Sequence, residues 1–517
     1  MRTLLLGACL AALVAAPAQA RWLKAESEHF VIYADDTQDN VAKFADQLER
    51  YHSVMEWMTK TEVNDPSPSN RLTIYVAGTG NEMRRLTGAS KFVAGFYIPR
   101  AGSSSAFVQD IKLRSRDTDF SMTVLLHEYA HHFLISSRRH GMPRWLSEGA
   151  AEFYASARFP SDGHVQIGRP AQHRAGELFY GDEVPLENLF DFGTGEGKQD
   201  AGGNDFYGRS WLLFHYLAMG GERPDQLSAY QDELAKGTGS LDAARKVFGD
   251  LGKLRTDLRD YLRQRKIMTL DFGPDLISAS PVQVHGLSDG MNEIMPLMIS
   301  SKSGVSREEA LELLPKVRAV AQRHPADAGV LAALAEAEFD AGNDAEAIAA
   351  ADGALAIDPT QVNALVQKGF ALFRQAGEAE DREEAYRAAM RPFNALNKVE
   401  NDHPLPLIYF YRSYTERGME PPELARHALE RASELAPFDQ GLTLSVGTMQ
   451  AQEGKIAEAR LTLAPLAADP HNGGEARSAR ALITALSHAK EGEPLSGLAI
   501  SLAFSSVETA PAEPTED

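Results

Sequence analysis

Cysteine is almost missing. The 517-residue chain has one, Cys9, within its first twenty positions. That excludes a disulfide framework and a thiolate zinc cluster. Positive charge is also scarce: 52 Lys and Arg stand against 72 Asp and Glu, for a formal net charge of −20. So acidic a chain is repelled by phosphate backbones, and no nucleic-acid partner is expected. Beyond the first twenty residues no apolar run reaches the roughly 20 residues a membrane helix needs, so no membrane span is expected. The rest is ordinary globular composition, 44% apolar and 24% charged, with length for about two to four domains.

Residues 1–20 read as a signal peptide. Arg2 supplies the positive start, Leu4–Ala16 is apolar and uncharged, and Ala18-Gln19-Ala20 is a small-x-small cleavage site. The expected mature chain starts at Arg21 and is periplasmic or secreted. The charge then divides unevenly, with a net of −3 over residues 21–270 and −18 over 271–517, which suggests two units with different tasks.

Residues 21–270 mix strands and helices. His29–Tyr33 and Arg71–Val76 are β-branched and aromatic runs, Phe92–Ile98 and Ala106–Gln109 flank a Gly/Ser turn, and Val41–Thr59 has helical spacing. Helices are expected over Thr118–Ser137, Trp145–Ala157, Tyr207–Met219 and Asp225–Leu234. Phe159–Asn204, rich in Gly, Pro and Asp, reads as a long irregular insertion. Residues 271–305 read as a linker or connector, 306–490 as helical repeats, and 503–517 as a disordered acidic tail.

The repeat signal is a period. Pro325 and Pro359 are 34 residues apart, and Pro437 and Pro470 are 33 apart. Small residues recur where paired helices must touch (Ala335, Ala347, Ala354, then Gly369), and the prolines end each second helix. The pattern resembles the tetratricopeptide (TPR) family, which implies an all-α solenoid with a groove for a protein or peptide partner.

The chemistry-bearing segment is His127-Glu128-Tyr129-Ala130-His131. On a helix, His127 and His131 lie one turn apart and can reach one metal ion, while Glu128 is offset by about 100°. Downstream comes Trp145-Leu146-Ser147-Glu148-Gly149-Ala150-Ala151-Glu152. A catalytic zinc takes three protein ligands. Glu148 suits the third position, and Glu152, one turn on, suits an outer partner for a ligand histidine. Two plainer readings stand beside this one: ordinary core histidines, or a purely structural zinc. His132 points off the shared face and reads as structural.

His127-Glu128-x-x-His131 with Trp145-Leu146-x-Glu148-Gly149 resembles the gluzincin metallopeptidases, in the secreted bacterial peptidase MA-like branch. Phe206-Tyr207-Gly208-Arg209-Ser210-Trp211 resembles a later helix of that branch. The chain lacks the upstream Gly-x-Met-Glu-Asn segment of the aminopeptidases, so aminopeptidase activity is not carried over. The resemblance implies an α+β zincin-like domain followed by the TPR-type solenoid. It implies one Zn2+ held by His127, His131 and Glu148, Glu128 as general base, and Tyr207 as oxyanion donor, with Arg209 and His215 as weaker candidates for that last role. The substrate would be a peptide or protein, and the strand Ala106–Gln109 would bind it by edge pairing. Two other functions fit the same residues: a binding scaffold with a degenerate enzyme domain, or a zinc amidase acting on cell-wall material. N-terminal sequencing of the exported protein should begin at Arg21; an intact Met1 on a cytoplasmic protein would end the export reading.

Overall fold

Parallel strands need crossovers and leave an edge that something must cover, and both needs shape the first half of this chain. The structure, a computed structural model, describes residues 22–61, 66–88, 94–110, 118–137, 141–160, 162–191, 204–469 and 473–508. The expected signal peptide, Arg21 and residues 509–517 lie outside the described residues.

Six strands form one sheet. They are β1 (Leu23–Glu26), β2 (Phe30–Ala34), β3 (Leu72–Val76), β4 (Gly95–Ile98), β5 (Ser105–Val108) and β8 (Gln283–Gly286), in the order β4-β5-β3-β2-β1-β8. β2, β3 and β5 are parallel; β4, β1 and β8 run antiparallel to their neighbours. A second sheet pairs β6 (Val165–Ile167) with β7 (Leu270–Phe272). Ten helices accompany these strands: α1 (Gln38–Thr59), α2 (Gly80–Thr87), α3 (Phe120–Ser137), α4 (Arg144–Ala155), α5 (Ala175–Tyr180), α6 (Leu186–Asp191), α7 (Phe206–Met219), α8 (Gln226–Ala235), α9 (Ser240–Phe248) and α10 (Leu251–Leu262).

α1 is the crossover between β2 and β3, and its face of Val41, Phe44, Leu48, Tyr51 and Met55 is buried under the sheet. Thr37 caps it by accepting from the Asn40 amide. α3 is capped by Asp119, whose carboxylate accepts from the Met122 amide. α4 is buried from Trp145 to Ala155. It lies against α7 so closely that a Cβ on Gly149 would sit 2.4 Å from the Ser210 carbonyl oxygen. A glycine there lets the two helix backbones touch.

Two boundaries differ from the sequence reading, and a third is narrowed. Of the two readings of residues 271–305, linker or small strand-containing connector, the structure has the second. β7 and β8 join the two sheets, Val282 and Val284 pack on the main core, and α11 (Asp289–Lys302) begins the helical stack. The strands are too short, and the helix too interrupted by Pro296, to show a period. The Gly- and Pro-rich insertion is not irregular throughout: it supplies β6, a 3₁₀ turn over Gln172–Arg174, α5 and α6. The tail expected from 503 is helical as far as 508, because Ile500 is buried and Phe504 packs in the terminal apolar cluster.

After α11 come α12 (Arg307–Arg323), α13 (Ala328–Asp340), α14 (Asp344–Ile357), α15 (Val362–Glu378), α16 (Arg382–Val399), α17 (Pro404–Thr415), α18 (Glu423–Leu435), α19 (Gln440–Gln452), α20 (Ile456–Ala467), α21 (Gly474–Leu486) and α22 (Gly497–Glu508). Each packs on the next as a helical hairpin stack. The small residues meet the expectation drawn from their period: a Cβ on Gly369 would strike the Phe393 ring at 2.6 Å. No described helix is long and apolar enough to cross a membrane.

Burial opposes charge on His403 and His132, lowering both below the ordinary value and His132 to about 3. The unfolded chain takes up these protons below about pH 6.5. It then binds more protons than the folded chain, so stability is complete above that pH and is lost as pH falls through the depressed values. His403 Nδ1 accepts from the Leu405 amide, a role asparagine can fill. His403→Asn should therefore show a smaller fall of unfolding midpoint between pH 7 and 4 than the parent; an unchanged slope would refute the assignment.

Candidate metal centre

α3 and α4 meet at a buried acid. Helical spacing puts His127 and His131 on one side of α3, and α4 brings Glu148 to face them, fully buried. The His127 and His131 Nε2 atoms are 3.1 Å apart. Glu148 Oε2 lies 3.3 Å from the first and 3.5 Å from the second. Neither Glu148 oxygen has a hydrogen-bond partner among the described residues. Burying a carboxylate this way is costly unless a cation meets it.

The two separations to Glu148 fit a metal, and the 3.1 Å between the imidazoles falls just short of the same range. An ion bonded tetrahedrally at about 2.0–2.2 Å sets its ligand atoms about 3.3–3.6 Å apart. Two imidazoles and one carboxylate are also a donor set that zinc takes in catalytic sites. Among the described residues this is the one group of three or more His, Cys, Asp or Glu close enough to hold an ion.

Electrostatics point the same way. Burial disfavours charge on His127, but Glu148 and Glu152 outweigh it and raise the imidazole to about 10. Burial would raise Glu148, yet the facing histidines hold it well below the usual carboxylate range. Without metal, a proton on His127 supplies the positive charge that the two acids demand.

Glu152 lies 3.4 Å from His127 Nδ1 and is itself held from two sides. Arg174 donates to its Oε1 at 2.7 and 2.9 Å, and the His173 ring nitrogen is 2.6 Å from its Oε2. Ser147 Oγ stands 3.2 Å from His131 Nδ1. Each ligand ring therefore has a partner on its far nitrogen, the arrangement that fixes tautomer and ring angle in metal sites. The sequence reading missed His173 and Arg174. They sit in the Gly- and Pro-rich stretch, 21 and 22 residues from their partner, and no local pattern marks them.

The other candidates fall out separately. Tyr207 accepts at Oη from Arg144 at 3.3 Å, and Arg174 lies over its ring at 4.6 Å, so it adjoins the Glu152 clamp. Arg209 is paired with Asp205, and His215 is bonded to the Tyr261 hydroxyl and the Gly168 carbonyl; both are committed elsewhere. His132 is 2.6 Å from the Tyr97 hydroxyl. Glu128 is half-buried on α3 between the two ligands. One expectation is corrected: β5 is not an edge. It pairs with β3 on one side and β4 on the other, so the edge strand is β4.

No protein-family model matches the chain, and no curated protein matches it. Solved structures similar to it include a thermophilic TPR protein of Thermus thermophilus, at 17% identity over 39% of this chain and 91% of that one, with a TM-score of 0.28. A TPR protein of Parabacteroides merdae is 14% identical over 56% of this chain and 93% of its own, at 0.31. A MamA double mutant is 16% identical over 34% and 89%, at 0.25. Scores this low carry no argument; the helical stack is seen directly in the packing of α11–α22.

If this centre holds zinc, Glu152→Gln should weaken its binding by about 10–100-fold, as loss of an outer partner does, measured by competition with a chelator. Unchanged affinity would mean that Glu152 serves only His173 and Arg174.

Proposed function

We propose that the chain is an exported zinc metallopeptidase of gluzincin type, with helical repeats for protein interaction. The supporting observation is the convergence of His127 Nε2, His131 Nε2 and Glu148 Oε2 within 3.1–3.5 Å, around a buried carboxylate that makes no hydrogen bond among the described residues. A zinc ion held there would supply a Lewis acid, polarising a peptide carbonyl and acidifying a water.

The chain's own residues would do the rest. Glu128 takes a proton from the attacking water on its carboxylate and gives it to the leaving amine. Glu152 and Ser147 hold the two imidazoles by their far nitrogens. Tyr207, oriented by Arg144, donates its O–H to the oxyanion. β4, which has a strand neighbour on one side only among the described residues, takes an extended peptide by strand addition.

Zinc content and activity of point variants test this. His127→Ala and His131→Ala should lose both. Glu128→Gln should keep about one zinc and lose roughly 10²–10⁴-fold in rate. Tyr207→Phe should keep zinc and lose about 10²–10³-fold. Full activity in Glu128→Gln, or no zinc in the parent at saturation, would overturn the reading. A parent that binds zinc but cleaves nothing would favour the scaffold alternative.

A further inference from the structure

In the helical stack, α11, α13 and α15 lie side by side, as do α19 and α21. Alternate helices that touch form the inner layer of a hairpin stack, and that layer usually offers a groove to a partner. Here much of it, with the turns that join it, is already covered by the same chain. Met295 and Ile299 of α11 pack with Tyr75 and Phe107 of the sheet. Glu400 accepts from the Ser69 amide and hydroxyl at 3.0 and 2.8 Å. Asn70 donates to the Leu435 carbonyl at 2.9 Å, and Asp439 accepts from the Ala101 amide at 2.9 Å. Glu400, Asn70 and His403, which meets Gly102, are all buried. Buried polar groups satisfied across a boundary are costly to separate.

The turn between α18 and α19 reaches furthest. Phe438 is buried and in ring contact with His132 of α3, at 4.6 Å between centroids. Its neighbour Asp439 caps α19 through Oδ1 and holds Ala101 through Oδ2. His132 also meets the Tyr129 ring at 5.8 Å and hydrogen-bonds Tyr97 of β4. One turn of the repeats thus presses on the helix that carries both histidine ligands, and through His132 on the edge strand.

We propose that the inner face of the repeats takes this chain's own mixed α/β unit as its partner, and that Phe438 is a positioning residue that fixes α3 against β4 through His132. Its kinetic consequence rests on the peptidase reading; its mechanical consequence does not. In the full-length, zinc-loaded protein, Phe438→Ala should speed amide exchange over Gly95–Ile98 and Tyr129–Ser137 by roughly tenfold while zinc content stays at one. KM for an extended peptide should rise several-fold, with kcat less affected. Phe438→Tyr, which keeps the ring, should behave as the parent. Leu486→Ala, which loosens the terminal apolar cluster of α21 and α22, should leave exchange at both segments unchanged. Unaltered exchange in Phe438→Ala, or equal acceleration in Leu486→Ala, would overturn the proposal. If Phe438→Ala does not fold, Phe438→Leu is read by the same criteria. Because exchange is read without substrate, a parent with no peptidase activity would refute the enzyme reading and leave this one to stand or fall by exchange alone.

Discussion

A carboxylate sealed from water must find positive charge, and Glu148, whose oxygens make no hydrogen bond among the described residues, is in that position. Removing the partner of a buried charge typically costs about 3–5 kcal/mol, so the neighbourhood of Glu148 has little freedom. Two imidazoles face it, and a second acid, Glu152, stands behind one of them. Without an ion, a proton on His127 and the Arg174 guanidinium offset the two acids; a divalent ion would take the place of that proton beside Glu148. The tight seat of α4 has the same origin. Gly149, the residue after Glu148, lets α7 close against α4 at that point, and Glu148 is fully buried.

The second acid extends the constraint outward. Glu152 is almost wholly buried, and its charge is shared among His127, His173 and Arg174. Arg174 also pairs with Glu177, which accepts from the Gly208 amide near the start of α7. A continuous set of charge-assisted contacts therefore runs from the histidine ligand to α5 and α7. Such contacts are stronger than neutral ones, and they anchor the Gly- and Pro-rich stretch where its own secondary structure is short.

Local chemistry was legible in the sequence; long-range placement was not. His127, Glu128 and His131 are bound to one helix by spacing alone, and Glu148 and Glu152 to the next, so their faces follow from the 3.6-residue turn. The runs of β2, β3 and β5 were likewise found within a residue, whereas β1 was missed and the run expected from Phe92, whose start lies outside the described residues, is a strand from Gly95. Sheet order was hidden, because β5 and β4 are four residues each and which of them is outermost depends on pairing with β3. β8 was hidden for the same reason: it joins β1 from more than 250 residues away. His173 and Arg174 carry no period, and only the buried acid they meet reveals what they do. The helical repeats were the easiest part, since their small residues recur at a fixed spacing and each unit contacts mainly its neighbours.

The division of charge now has a physical setting. The second half carries a net −18 against −3 for residues 21–270, yet the contacts between the halves hold few ionised pairs. Where the repeats meet the sheet, the boundary is made by Met295, Ile299, His403 and Phe438, and by hydrogen bonds from Ser69, Asn70 and Ala101. Screening by salt weakens exposed charges and scarcely touches buried neutral contacts. An acidic solenoid can therefore hold a nearly neutral unit with few ion pairs between them; the acids it turns to that unit, Glu400 and Asp439, accept from backbone amides and a hydroxyl. The grip on α3 then depends mainly on shape and desolvation, so the helix that carries His127 and His131 keeps its position when ionic strength changes.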